Sequence, residues 1–259
     1  MAIELGKANA GKGMRIYAIG DVHGCLDELN TLLNLIDDDL AARSIKNHRI
    51  ILLGDYVDRG PNCSGVIERL MELTSTNTNM TCLFGNHDEK LLLATKKMNL
   101  AVMDNYFRYG GGETLKSYGF SEQEISLISH GDFTDKVAST LANKVKEMVP
   151  EAHVEFLRAL PRFTQEGDYY FCHAGVQPEL ELSAQRENDL IWIREPFLSW
   201  DKPLEKVIIH GHTKIDEPET RLNRINLDTG CCYGGKLTAV VLEKTDHHFI
   251  STPAKRDYW

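Results

Sequence analysis

With 259 residues, 42% of them hydrophobic and 26% charged, the chain can build one large domain with an ample core, and its composition excludes wholesale disorder. Acidic side chains outnumber basic ones, 38 to 29, for a net charge of −9. Duplex DNA presents one phosphate charge per roughly 1.7 Å, so this acidity argues against nucleic-acid partners, and by the same logic against anionic membranes. No stretch approaches the roughly 20 apolar residues of a membrane span, and the opening MAIELGKANAGKG lacks the apolar core of a secretory signal.

Residues 1–13, rich in Gly, Ala, Asn and Lys, read as a flexible lead-in to a single domain over 14–259. One grammar then repeats: a short apolar run, a Gly-Asp or Gly-Asn turn, and a helical pattern. Arg15–Ile19 predicts a buried strand, followed by Gly20–Gly24 and a helix over Cys25–Leu40 with Leu26, Leu29, Leu32, Leu33 and Ile36 on one face. Arg49–Leu53 predicts the next strand, followed by Gly54–Pro61 and a helix near Ser64–Leu73. A third strand, Thr81–Phe84, leads through Gly85–Asp88 into a helix beginning near Glu89.

The middle, about 101–162, carries helical patterns (Glu122–Ile128, Thr134–Val149, Glu151–Leu160) and no convincing strand, and reads as a helical elaboration beside the sheet. Strands return at Tyr169–Cys172, Lys206–Ile209, Arg224–Leu227, Lys236–Leu242 and His248–Ser251. Strand-helix units first and mostly strands last predict an α/β fold, a sandwich of two mixed sheets flanked by helices. Cys25, Cys63, Cys82, Cys172, Cys231 and Cys232 form no CxxC pair, which suits reduced thiols in the cytoplasm. The vicinal Cys231 and Cys232 read as small buried residues rather than a redox pair.

Polar side chains able to bind metal gather at the strand ends. Asp21 and His23 follow the first strand, Asp55 and Asp58 the second, Asn86, His87 and Asp88 the third. His173 follows Tyr169–Cys172, and His210 and His212 follow Lys206–Ile209. Loops beyond the carboxyl ends of strands in a layered α/β fold share one crevice. Any one of these turns, taken alone, reads as a capped turn or a core histidine. Five together make an oxygen and nitrogen ligand set suited to Mn, Fe or Zn, with enough ligands for two ions and one carboxylate between them.

These elements resemble, in order, the signature of the phosphoprotein phosphatase family of calcineurin-like metallophosphoesterases, and most of all its bacteriophage lambda and bacterial serine/threonine members. The resemblance runs from Arg15 to Leu242 and takes in Gly110–Gly112, Ile191–Glu195 and Asp228–Gly230. It implies that Asp21 and His23 hold one ion, that Asp55 bridges both, and that Asn86, His173 and His212 complete the second, with Mn²⁺ expected and Fe or Zn fitting the same ligands. His212, in Gly-His, is the implied ligand; His210 reads as its support or as structure. Hydrolysis would follow from in-line attack of a hydroxide shared by the two ions. His87 would be the general acid, oriented by Asp58, while Arg59 and Arg194 grip the phosphoryl oxygens.

Plainer readings stand beside these. Arg194 could form a surface ion pair with Glu195, Tyr233 could lie near the substrate phosphate or merely on the surface, and Asp228 could support a ligand or only form a turn. Asp88 suits helix capping or support of the ligands better than ligation. His48, His130, His153, His247 and His248 belong to no motif.

The expected activity is a phosphomonoesterase acting on phosphoserine, phosphothreonine and also phosphotyrosine, in a phosphorylated protein or a small ester. The alternative is a dinucleoside tetraphosphate (symmetrical) hydrolase or another nucleotide phosphatase. Symmetrical hydrolases usually carry alanine where this chain has Asp58, and Gly-His-Trp-Ala in place of Gly211-His-Thr-Lys214, so both differences favour the first. A binding protein that keeps only the fold would have lost a ligand, the acid or an arginine.

Overall fold

A computed structural model of the protein describes residues 2–96, 100–129 and 135–255. The strands are β1 (Met14–Ile19), β2 (Asn47–Leu52), β3 (Met80–Cys82), β4 (Phe163–Glu166), β5 (Tyr169–Cys172), β6 (Val207–His210), β7 (Glu219–Thr220), β8 (Arg224–Asn226), β9 (Thr238–Glu243) and β10 (Asp246–Ser251). The helices are α1 (Leu26–Ala42), α2 (Cys63–Thr76), α3 (Asn86–Lys96), α4 (Leu100–Arg108), α5 (Gly111–Ser117), α6 (Glu122–Ser129), α7 (Asp135–Met148), α8 (Glu151–Ala159) and α9 (Glu187–Trp192). His130 and Thr134, the latter expected to open a helix, lie outside the described residues.

Two five-stranded mixed sheets form, ordered β10-β9-β1-β2-β3 and β4-β5-β6-β8-β7. In the first, β1, β2 and β3 run parallel, and β9 closes on β1 antiparallel with Ile16 opposite Leu242. In the second, β5, β6 and β8 run parallel. The two-residue period of each strand divides its side chains between layers. Ile16 and Ala18 face Tyr169, Phe171, Val207, Ile209 and Ile225 between the sheets. Tyr17 and Ile19 instead pack on Leu29, Leu32 and Ile36 of α1 and Val66 and Leu70 of α2. On the outer face of the second sheet, Tyr170, Cys172 and Ile208 bury Leu190 and Phe197. The expected α/β sandwich is the observed architecture.

Three local differences have physical causes. β3 ends at Cys82 because the chain turns away there, with Phe84 N donating to Pro161 O at 2.9 Å. β4 holds a single apolar residue, Phe163, so no pattern announces it; it forms by antiparallel pairing to β5, with Phe163 opposite Cys172. The segment expected to be a flexible lead-in is packed. Leu5, Ala8 and Ala10 are buried, Ile3 bridges Leu204, Leu5 N donates to Leu222 O, and Ala10 N donates to Lys244 O. Its small side chains fit against the paired sheets, a use for alanine that composition conceals.

Candidate active site

The turns that follow β1, β2, β3, β5 and β6 meet in one place, at the carboxyl ends of parallel strands from both sheets. The chain must bend sharply to bring short side chains together, and the backbone records it. His23 (φ 46°), Asp55 (φ 55°), Asp58 (φ 71°), Arg59 (φ 71°) and His212 (φ 65°) all occupy the left-handed region, and Lys244 is the one other described non-glycine residue that does. Such conformations cost about 1–3 kcal/mol each, and they cluster where a function over-determines the geometry. Two glycines make room: a Cβ on Gly85 would lie 2.2 Å from Asp55 Oδ1, and one on Gly211 only 1.9 Å from Asp21 Oδ1.

Asp55 stands at the centre. Its Oδ2 lies 3.5 Å from His23 Nε2 and 3.3 Å from His173 Nε2, while its Oδ1 accepts from His87 N at 2.9 Å. The donor atoms of His23, Asp55 and His87 all lie within 4.8 Å of one another, as do those of Asp55, His173 and His212. Asn86 Oδ1 completes the second group, 2.8 Å from His173 Nε2 and 2.9 Å from His212 Nδ1. Asp21 Oδ2 sits 4.0 Å from His23 Nε2, and its carboxylate accepts from His212 N at 3.2 Å.

Backbone carbonyls set the tautomers. His23 Nδ1 donates to Val57 O at 2.7 Å and His173 Nδ1 to Leu53 O at 3.1 Å, which turns each Nε2 toward Asp55. Several acceptors thus converge with few protons between them, a donor set that fits divalent cations. The titration of these groups reports the same demand for positive charge. Burial works against a charged His173, yet Asp55 and Asp21 push it up to about 9. Burial also works against the Asp55 carboxylate, yet His173 and His87 hold it well below the usual range. Burial and the neighbouring Asp228 raise Asp21, whereas burial and His87 depress His23.

The remaining expected residues take distinct positions. His87 Nδ1 and Asp58 Oδ2 are 2.7 Å apart, both buried, and Thr114 fixes that carboxylate by donating to Oδ1 at 2.7 Å while its oxygen accepts from Asp58 N at 2.8 Å. Asp88 caps rather than points at the cluster: its carboxylate accepts from Gly85 N, Asp55 N and Tyr56 N at 2.9 to 3.0 Å, pinning the β2 turn to the β3 turn. Arg59 Nη1 donates to His23 Nε2 at 2.8 Å, occupying the lone pair that a cation held by His23 would need. The Tyr233 ring, 38% exposed, stacks beneath the Arg59 guanidinium at 5.4 Å.

Arg194 is exposed and no ion pair engages it among the described residues; burial and His173 depress His212, with the Arg194 charge adding to them, and Glu195 accepts from Ser199 Oγ at 2.6 Å. His210 is fully buried, edge-on to Phe197, with Nδ1 3.0 Å from Gly211 O. Asp228 accepts from Gly230 N at 3.2 Å in its turn. His153 meets the Tyr118 hydroxyl, and His248 meets Arg43, both away from the cluster. Cys231 is buried and Cys232 half-buried; Cys231 lies with Cys25 and Glu28 in a separate group, where Glu28 pairs with Lys255.

Sequence reasoning passed over Thr114, Lys90 and Tyr109. Gly110–Gly112 marked the neighbourhood, but nothing in the residues themselves announced that α5 would reach Asp58.

The chain belongs to the calcineurin-like phosphoesterase family, whose model matches residues 14–250. The fold of that family binds a dinuclear metal centre, and the two His/Asp groups sharing Asp55 are in keeping with it. Over 266 residues the chain is 24% identical to the asymmetrical bis(5'-nucleosyl)-tetraphosphatase of Oceanobacillus iheyensis, covering 95% of this chain and 94% of that one. It is 28% identical over 273 residues to the symmetrical bis(5'-nucleosyl)-tetraphosphatase of Nitrosospira multiformis, with 89% and 93% covered.

Among solved structures, a candidate diadenosine tetraphosphatase superposes with a TM-score of 0.60 at 21% identity, covering 95% and 99% of the two chains. The cold-active protein-tyrosine phosphatase of a Shewanella species gives 0.55 at 16%, covering 95% and 83%. The expected likeness holds at the level of the broader family and is not specific to the lambda enzyme: both curated relatives named above are tetraphosphatases.

Proposed function

We propose that this protein is a cytoplasmic dinucleoside tetraphosphate hydrolase using two divalent ions, with Mn²⁺ the metal of choice. The observation that carries the reading is the end-to-end match to tetraphosphatases of both the asymmetrical and the symmetrical kind. This reverses the preference drawn from Asp58 and Gly211-His-Thr-Lys214. Those differences separate protein phosphatases from symmetrical hydrolases only, and asymmetrical tetraphosphatases fall outside that comparison.

In the proposed assignment Asp21 and His23 hold one ion, Asp55 both, and Asn86, His173 and His212 the second. Bound there, the ions supply Lewis acidity toward phosphoryl oxygens and lower the pKa of water. The protein supplies the rest. Asp58 accepts a hydrogen bond from His87 Nδ1–H, 2.7 Å away, which leaves Nε2 to hand a proton to the departing oxygen. The same buried carboxylate, itself held by Thr114, keeps the ring in that orientation. Arg59 and Arg194 offer planar forks to phosphoryl oxygens, a geometry lysine cannot copy.

A second reading, phosphomonoester hydrolysis on phosphoserine or phosphothreonine, keeps one specific support: the intact Asp58–His87 contact. Rates measured side by side on Mn²⁺-supplied protein decide between them. Faster kcat/KM on diadenosine tetraphosphate than on a phosphothreonine peptide is expected, with chelator abolishing both; the reverse order would install the protein-phosphatase reading.

A further inference from the structure

On the tetraphosphatase reading, the departing nucleotide needs a place beside His87. Lys90 lies one turn beyond His87 on α3 and is only 7% exposed, an unusual position for a lysine. Its ammonium donates to Asn105 Oδ1 on α4 at 2.6 Å and lies 3.8 Å from the ring centre of Tyr109 and 4.8 Å from that of Trp192. Both rings border the site itself. Tyr109 stands edge-on to His87 at 6.2 Å, and Trp192 edge-on to His212 at 6.3 Å, held there by its Nε1 donating to Glu89 at 2.9 Å.

Burial of this cation is disfavoured, and the nearby Asp58, Glu89 and Asp55 charges offset the penalty only in part. A structural role alone would be met by methionine, which packs as well without a charge to desolvate. Lys90 also lines a cleft of about 360 Å³ between α3 and α4, with Leu93, Ala101, Val102, Asn105 and Tyr106, and among the described lining residues it is the sole charged one. Tyr109 beside it is 42% exposed.

We propose that Lys90 and Tyr109, with this cleft, form the subsite for the leaving nucleotide: Lys90 holds the anionic phosphate adjoining the scissile bond, and the cleft and the Tyr109 ring receive the nucleoside. Charge complementarity argues for that occupant. Hydrolysis puts the oxygen of water on phosphorus, breaks the bond to the departing oxygen and gives that oxygen a proton from His87, so the leaving group lies on the His87 side. A seryl or threonyl leaving group is neutral and has no use for a buried ammonium. A nucleoside polyphosphate leaves as an anion with a flat base attached, and an ammonium has three N–H donors, of which Asn105 takes one. Aromatic stacking of a base is worth about 1–3 kcal/mol.

The test compares diadenosine tetraphosphate with p-nitrophenyl phosphate on Mn²⁺-supplied wild type, Lys90→Met, Lys90→Arg and Tyr109→Ala. The ratio of kcat/KM for the dinucleotide to that for the aryl ester is expected to fall at least tenfold in Lys90→Met, chiefly through KM. It should fall about fivefold in Tyr109→Ala and recover in part in Lys90→Arg. Equal loss on both substrates, which a packing defect would produce, overturns the subsite, and so does an unchanged ratio. Wild type that leaves diadenosine tetraphosphate intact while cleaving the aryl ester overturns the tetraphosphatase reading itself, and the subsite with it.

Discussion

At the residue scale, His87 is defined by three contacts: its amide on Asp55 Oδ1, its Nδ1 on Asp58, and its ring edge-on to His23 at 4.7 Å. Rotamer and tautomer are therefore set before any substrate arrives, which lowers the cost of orientation. Replacing it with asparagine (His87→Asn) removes the proton donor but keeps a polar side chain of modest size. The expected outcome is a fall in kcat by on the order of 10²–10⁴ on diadenosine tetraphosphate with two ions still bound, read by steady-state kinetics and metal analysis of the same sample. Unchanged turnover would remove His87 from the acid role.

Among the elements, α5 links the helical elaboration to the chemistry. Thr114 on α5 grips Asp58 at two atoms, Gly110 O accepts from Arg59 N at 3.1 Å, and Ser117 accepts two hydrogen bonds from Ser64 on α2. Thr114→Val keeps the shape and deletes the hydroxyl, leaving a buried carboxylate oxygen and an amide without that partner, a loss of about 1–3 kcal/mol in stability. Activity should fall about tenfold, chiefly in kcat, as Asp58 loosens its hold on His87; an unchanged kcat would confine Thr114 to packing.

This linkage also shows what a sequence can and cannot disclose. The five turns at strand ends were legible because glycines, carboxylates and imidazoles recur there beside apolar runs, and local pattern suffices to see that. Which of those side chains meet is a matter of register between strands far apart in the chain. Thr114, Lys90 and Tyr109 reach the site through helix packing, which leaves no local mark; β4, with its one apolar residue, owes its existence to its partner strand.

For the molecule as a whole, acid stability can be worked out from two carboxylates held below their usual range. Burial opposes the ionised Asp39, but the Tyr17 hydroxyl and Arg43 outweigh it and lower its carboxyl. Lys144 and Ser121 hold Glu124 down to about 2. A group depressed in the folded state contributes stability that is complete above its unfolded value, near 4, and that drains away as pH falls toward the folded one. The midpoint of urea unfolding should therefore hold from pH 7 to about 5 as far as these groups are concerned and drop below pH 4. Asp39→Asn should flatten part of that drop; an identical acid slope in the variant would discount Asp39.

The pairing of β1 has a consequence for the order in which the molecule is made. β1 is the middle strand of its sheet, with β2 on one side and β9, more than 200 residues later, on the other. The segment before β1 likewise waits for Leu204, Leu222 and Lys244. A nascent chain can therefore finish β1, β2 and β3 early, but it carries an open apolar edge on β1 until β9 has been made. Such an edge invites pairing with other chains. Translation products that stop short of β9 will be the aggregating species, and β9 with β10 acts as the latch that makes the newborn protein safe.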